Sequence, residues 1–470
     1  MYKSAASIVE AIKNKETTAE QVTAYYLQKI EENKDLGSFL TVNEKALEEA
    51  RELDARLLQG EPCGALCGVP VAVKDNVLTE GLRTTCASNA LKDFIPPYDA
   101  TLITRIKEAG GIILGKTNMD EFAMGSSSET SAFQITKNPL DPNLVPGGSS
   151  SGSASAVASG EAVVAIGTDT GGSIRQPASY CSLYGYYPSY GTVSRSGVIS
   201  MANTLDQAGV LANCVADLRR MVNVIGGCDE KDPTSMREAS PGLEENPSYS
   251  LQGKRIGYPA NLDAFPLETE VKESFDKGIR LLEELGAEVV PVEFPTLAYA
   301  LSVYNIIVAT EVSSNMSRFD GIVYGPRVDE YQSNDELYKK TRSAVFGEEV
   351  QRRIAMGTLY LGSDDEQRLY KKAMKVRRKL ADEYRAFFAD YDFVLTPTTN
   401  DMPFPIGARK DDPMVMYDSE LFTVSVNLCG LCAVSIPMQK GLGGSLQLIA
   451  ERFNDNELLQ AAEQIERSLA

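Results

Sequence analysis

Residues 100–114 read ATLITRIKEAGGIIL: a helical run from Ala100 to Ala109, a Gly110-Gly111 break, then the short apolar strand Ile112-Ile-Leu114. The same succession recurs twice downstream. Glu268–Glu284 precedes Ala287-Glu-Val-Val-Pro-Val292, and Lys371–Ala389 precedes Phe393-Val-Leu395 and Thr396-Pro397. Upstream, Gly68-Val-Pro-Val-Ala-Val73 is an apolar strand with a polar exit at Lys74-Asp75. Helices alternating with buried strands predict an α/β sheet covered on both faces. Residues 4–58 read as helices, with an N-cap at Thr17-Thr18, Gln21 three residues after Thr18, and Val22, Tyr25, Tyr26 and Ile30 at helical spacing. Residues 228–253 are polar and turn-rich, a surface loop between two halves of one fold rather than a linker. No internal repeat is visible. The expectation is therefore one domain over 1–470, with N-terminal helices over about 1–60 and a helical cap or insertion over about 300–385.

Composition agrees with a globular protein. Of 470 residues, 43% are hydrophobic and 24% charged, which excludes a disordered or low-complexity chain. Lys and Arg number 46 against 65 Asp and Glu, a net charge of −19. So acidic a surface repels phosphate, which argues against direct nucleic-acid or anionic-membrane binding by this chain alone. The N-terminus, MYKSAASIVEAIKNKE, is too charged for a signal peptide, and no apolar run reaches the roughly 18 residues of a membrane helix. A soluble, cytoplasmic protein is expected.

There is no histidine, which excludes every histidine-containing triad and metal site. A catalytic base must be Lys, Asp, Glu, Tyr or Cys. The eight cysteines are too few for a disulfide scaffold in so long a chain. Cys429-Gly-Leu-Cys432 is a CxxC, and Cys63 and Cys67 would complete a four-cysteine zinc site. Both members of the CxxC lie in the apolar stretch Val424–Pro437, however, and core packing is the preferred reading.

Chemistry concentrates between residues 64 and 210. Residues 146–156 are PGGSSSGSASA and residues 167–177 are GTDTGGSIRQP, both embedded in apolar, structured sequence rather than in a linker. No lysine follows these glycines as a phosphate-binding loop requires, and a nucleophile elbow lacks its histidine. What is left is a serine nucleophile with another base. Lysine serves only if its pKa falls from about 10.4 toward neutrality. Lys74, at the end of an apolar strand, is a candidate, although a surface lysine or a buried ion pair fits the spacing as well.

Taken together, Gly68-Val-Pro-Val-Ala-Val-Lys74-Asp75-Asn76, the 146–156 run and Asp169-Thr-Gly-Gly-Ser173 resemble the amidase signature family. Gly115–Ser126, Thr204-Leu-Asp-Gln-Ala-Gly209 and Asn427-Leu-Cys-Gly430 extend the resemblance across essentially the whole chain. It implies an α/β/α sandwich with a large mixed central sheet, and a Ser-Ser-Lys triad. Ser173 is then the nucleophile, Ser149 the bridge, preceded by a cis peptide, and Lys74 the base. Backbone N–H groups of Thr170, Gly171, Gly172 and Ser173 can form an oxyanion hole. Arg175, Asp169 and Asp206 can brace the site or be structural ion pairs.

Within the family, Pro96–Thr101, Lys116–Ser128, Ser313–Gly321, Gly347–Ile354 and Met416-Tyr417 resemble the A-type subunits of glutamyl-tRNA(Gln)/aspartyl-tRNA(Asn) amidotransferases. That resemblance implies glutamine hydrolysis, with ammonia sent to a tRNA-handling B-type subunit that uses ATP and Mg, and a small C-type subunit beside it. This chain would hold no metal or cofactor and would meet tRNA only through the partner. Met124, Ser126 and Tyr304 would contact substrate, Arg353 its carboxylate, and Glu420 its amino group; a solvated helix face is the other reading of Arg353 and Glu420, with neighbouring Arg352 and Asp418 able to serve instead. The subfamily has Asp at the position of Glu420. Other departures are Gly185-Tyr-Tyr-Pro-Ser-Tyr190 for Gly-Leu-Lys-Pro-Thr-Tyr, Thr192 for Arg, Ser151 for Gly, and Gln134-Ile135 for Gly-Pro. The alternatives are a stand-alone amidase on another small amide and a catalytically silent structural subunit.

Overall fold

In the computed structural model, residues 4–237, 242–362, 367–409 and 413–469 are described. Residues 238–241 of the expected polar loop and 363–366 of the expected cap lie outside them. Among the described residues eleven strands form one sheet: β1 Phe39–Val42, β2 Pro70–Lys74, β3 Ile112–Thr117, β4 Val164–Asp169, β5 Tyr184–Tyr187, β6 Gln207–Ala212, β7 Arg255–Pro259, β8 Glu288–Val292, β9 Phe393–Pro397, β10 Cys432–Pro437 and β11 Ser445–Ala450. Their order is β1-β3-β2-β4-β6-β5-β10-β11-β9-β7-β8. The β2–β3, β2–β4, β7–β8 and β7–β9 pairs are parallel and the other paired neighbours antiparallel, so the sheet is mixed as expected.

Both faces are covered, and strand periodicity shows why. Phe393 and Leu395 of β9 enter one core, and Val394 between them enters the other. Cys432, Val434 and Ile436 of β10 oppose Ala433 in the same way. The first core packs the N-terminal helices and helices Val215–Ile225, Thr269–Glu284 and Asp455–Leu469. The second packs helices Ala300–Met316, Gln367–Phe387 and Val424–Cys429.

Local reading held where chemistry is local. Thr18 caps helix Ala19–Glu32 by accepting from the Gln21 amide at 3.2 Å. The all-helical reading of residues 4–58 is corrected by β1. Phe39–Val42 is an edge strand that pairs antiparallel with β3, a long-range contact that overrides four residues of ambiguous pattern. Among the described residues one helix comes near the length and composition of a membrane span. Leu297–Met316 is a 20-residue helix that by length and composition could cross a bilayer. Half of it is buried in the protein, and it packs against helices Glu348–Gly362 and Gln367–Phe387. The apolar composition is that of a helix packed between neighbours in the core.

Candidate active site

The chain runs from β2 to β3 on one side and returns to β4 on the other, so β2 lies at a switch in strand order. Ligands of open α/β sheets bind at the carboxyl ends of strands at such switches. Lys74 is the last residue of β2. The parallel register Val71↔Val164, Ala72↔Ala165, Val73↔Ile166 brings the end of β4, Asp169, and the Thr170–Ile174 turn beside it. The 146–150 turn enters helix Ser151–Ala158, and the Gly148–Ser149 peptide is cis, as the resemblance implied.

Lys74 is fully buried. Its Nζ donates to Ser149 Oγ at 2.8 Å, Ser150 Oγ at 2.9 Å and the Thr168 carbonyl at 3.1 Å. Burial lowers its pKa to about 7, against the opposing attraction of Asp120, Asp169 and Asp206. The amine is thus poised to exchange a proton near neutrality. Ser173 is 4% exposed, and its carbonyl accepts from the Ser150 amide at 3.1 Å, which ties the two serine turns together. Ser150 escaped the sequence reading. Its only signal there is membership of the Ser149–Ser151 run, within which spacing does not say which hydroxyl meets the lysine.

Asp169 and Arg175 hold the Thr170–Ile174 turn. All five guanidinium donors are used: Nε and Nη2 on Asp169 at 3.0 and 2.9 Å, Nη2 also on Asn427 at 2.6 Å, and Nη1 on Gln447 at 2.6 Å and the Thr423 carbonyl at 3.0 Å. Burial would raise the Asp169 pKa, but Arg175 beside it holds the carboxyl below its ordinary range. Asp169 also accepts from the Gly172 amide at 2.7 Å and the Ile174 amide at 3.1 Å. The Gly172 donor is therefore already engaged, a correction to the expected four-donor set. Asp206 accepts from Thr170 Oγ1 at 2.8 Å and, through its other oxygen, from the Met201 and Ala202 amides. At Gly171 a Cβ would stand 2.5 Å from the Tyr304 ring, so only glycine admits that close approach.

A cavity of about 310 Å³ adjoins this cluster. Ser126, Arg353 and Glu420 line it; Met124 and Tyr304 do not, being buried in the second core. Tyr304 instead backs Gly171, with both Arg353 and Glu420 acting on its phenol. The cavity meets the serines along two seams. Gly148 packs on the Ser126–Ser127 peptide, and Gln176 bridges the Ser126 carbonyl (3.0 Å) and the Gly148 amide (2.7 Å). On the other side Thr423 Oγ1 donates to the carbonyls of Glu420 and Gly171. Inside, Arg353 Nη1 and Glu420 Oε2 are both buried with no hydrogen-bond partner among the described residues. Burial raises the Glu420 pKa to about 8, an effect Arg353 only partly offsets.

The departures from the subfamily pattern are absorbed in different ways. Tyr186 bonds Asp455, and the Tyr187 ring lies 4.9 Å from the Arg175 guanidinium, behind the nucleophile turn. Gln134 Nε2 donates to the carbonyls of Gly37 and Phe39 at 3.0 Å each. Ser151 Oγ donates to the Asn118 carbonyl at 3.4 Å. The Thr192 hydroxyl is buried without a hydrogen-bond partner among the described residues, and nothing in the structure explains that substitution. Cys429 packs against the second core and Cys432 sits in the first, so the CxxC does not present its thiols together.

A family model described as amidase matches residues 21–459. The chain belongs to the amidase signature family. Among amidase relatives, it is 44% identical over 465 residues to the glutamyl-tRNA(Gln) amidotransferase A-type subunit of Clostridium botulinum strain Okra, covering 98% of this chain and 96% of the relative. The solved A-type subunit of the Thermotoga maritima glutamyl-tRNA(Gln) amidotransferase superposes with a TM-score of 0.80 at 38% identity, covering 96% and 91% of the two chains. A bacterial aryl acylamidase superposes with a TM-score of 0.85 at 27% identity, covering 99% and 96%. The amidase scaffold is thus common to enzymes of different substrates, and sequence identity separates them better than backbone shape.

Proposed function

We propose that this amidase is the glutaminase subunit of a tRNA-dependent amidotransferase. One observation carries the reading: the cavity beside the serines offers an unpartnered guanidinium nitrogen, Arg353 Nη1, and an unpartnered carboxyl oxygen, Glu420 Oε2, among the described residues. A buried polar atom without a partner is costly, so such a pair is complementary to a ligand carrying both a carboxylate and an ammonium. Glutamine is that ligand with an amide at its other end. The 44% identity to an amidotransferase chain of the same type supports the same substrate.

In this mechanism neutral Lys74 takes the Ser149 proton while Ser149 takes that of Ser173, and Ser173 Oγ attacks the amide carbon. The amides of Thr170, Gly171 and Ser173 receive the developing oxyanion. The proton returns through Ser149 to the leaving nitrogen, the C–N bond breaks, and ammonia leaves an acyl ester on Ser173. Water then releases glutamate by the reverse relay. The ammonia goes to a B-type subunit that activates Glu-tRNA(Gln) or Asp-tRNA(Asn) with ATP and Mg, in a cytoplasmic complex with a small C-type subunit. The −19 charge suits a chain that leaves tRNA to its partner.

Native purification from the source cells tests this. Stoichiometric recovery of a tRNA-handling partner and a small third chain, with ammonia released from glutamine, is the expected result. A chain that runs alone and hydrolyses other amides but not glutamine overturns it in favour of a free-standing amidase.

A further inference from the structure

Arg353 stands between the partly buried Glu349 and the buried Glu420 and is committed to the first. Its Nε donates to Glu349 Oε1 at 2.7 Å. The same oxygen accepts the Tyr417 hydroxyl at 2.7 Å, and the other accepts from Arg352 Nη1. The Tyr417 ring lies 5.1 Å from the Arg353 guanidinium. Glu349, Arg353, Tyr417 and Glu420 all line the one cavity. A guanidinium is a rigid planar fork, so a grip on its Nε edge sets where its remaining N–H groups point. Here that grip leaves Nη1 unpartnered, and Glu420 Oε2 unpartnered with it. Titration behaviour agrees with the division. Burial works against the Glu349 carboxylate, yet Arg353 keeps it below its ordinary range, whereas Glu420 is pushed up despite the same guanidinium.

Without Glu349, Arg353 is free to turn onto Glu420. Opposite charges in a buried site attract strongly. Such a pair would neutralise at once the two groups that a zwitterionic ligand needs.

We propose that Glu349 is a positioning residue for substrate recognition: it holds Arg353 by its Nε edge and away from Glu420, so that the α-carboxylate and α-ammonium of the substrate each meet a free, oppositely charged partner. This rests on the glutamine reading above. Glu349 is also a first-turn acid and the i,i+4 partner of Arg353 on helix Glu348–Gly362, so the test needs a readout that helix stability alone does not move, the split in KM between two substrates.

The test is steady-state hydrolysis by the natively purified enzyme, with whatever subunits accompany it, and by its Glu349→Ala and Glu349→Gln variants. Two substrates are compared: L-glutamine, and 4-aminobutanamide, which lacks the α-carboxylate. Glu349→Ala is expected to raise KM for glutamine about tenfold or more, the scale of a lost charge-assisted hydrogen bond, with kcat changed by less than about threefold. The KM penalty for 4-aminobutanamide should be present but smaller, since that substrate loses only its Glu420 partner where glutamine loses both. Glu349→Gln keeps an acceptor for Nε and should fall between wild type and Ala. It also carries the test if the Ala variant does not fold. Equal KM penalties for the two amides, or an unchanged KM for glutamine, overturn the positioning role. A wild-type enzyme that does not hydrolyse glutamine overturns the functional reading first, and is seen before any variant is made.

Discussion

Lys74 Nζ lies 2.8 Å from Ser149 Oγ, at the carboxyl end of a strand where no water reaches the lysine. In the proposed mechanism that contact is the proton path from Ser173. Replacing Lys74 or Ser173 by Ala should each lower kcat by at least about a hundredfold to ten-thousandfold, the usual range for a general base and more for a nucleophile. Circular dichroism should show the fold retained. Activity of Lys74→Ala within tenfold of wild type would remove lysine from the mechanism.

The pH profile follows from the direction of the Lys74 shift. A general base works deprotonated, and burial brings this amine down to about 7. The rate constant kcat should therefore rise with pH through about 7 and level off above it. An enzyme with an unshifted lysine would still be climbing at pH 9. A profile of kcat against pH between 5.5 and 9.5 separates the two.

Glu420 predicts a pH effect on binding rather than on turnover. Its carboxyl is raised to about 8 by burial, and only the ionised form attracts an ammonium. KM for glutamine should fall as pH rises toward about 8, at pH values where the substrate amine stays protonated. Glu420→Gln should raise KM by roughly tenfold to a hundredfold and flatten that dependence. A Glu420→Gln enzyme with wild-type KM across this range would exclude Glu420 from the ammonium site.

Arg175 tests the scaffold. Its five donors are all engaged and it is fully buried against Asp169, so truncation strands a buried carboxylate and three further acceptors. Arg175→Ala should cost about 3–5 kcal/mol in denaturant unfolding, the scale for breaking a buried ion pair by removing one partner. A loss under about 1 kcal/mol would show that the turn is held by other contacts.

Gly171→Ala addresses positioning without touching a charge. The new Cβ would meet the Tyr304 ring at 2.5 Å, so the turn or the ring must move. A displacement of about 1 Å near the reacting atoms is expected to lower kcat about a hundredfold, with an overpacking cost of about 1–3 kcal/mol in unfolding. Wild-type turnover would mean that the turn tolerates the shift.

Much of this protein was legible in residue order because its causes are local. The helix–glycine–strand succession at 100–114 announced the α/β sheet, and the lack of histidine with Lys74 closing an apolar strand narrowed the chemistry to a serine served by another base. Thr18 needed only its neighbour Gln21 to become a cap. Strand β1 was illegible, since Phe39–Val42 becomes extended only through its pairing with β3. That Ser150 joins Ser149 at Lys74 was not legible, since both hydroxyls come from one turn 75 and 76 residues away that only the packed fold sets beside the end of β2. The engagement of the Gly172 amide, the commitment of Arg353 to Glu349 rather than Glu420, and the retreat of Met124 and Tyr304 into the second core were likewise tertiary decisions. Sequence spacing determines which groups are available and which faces they share within one element. Which of several competing partners a buried charge takes depends on distances between elements, and only the packed fold sets those.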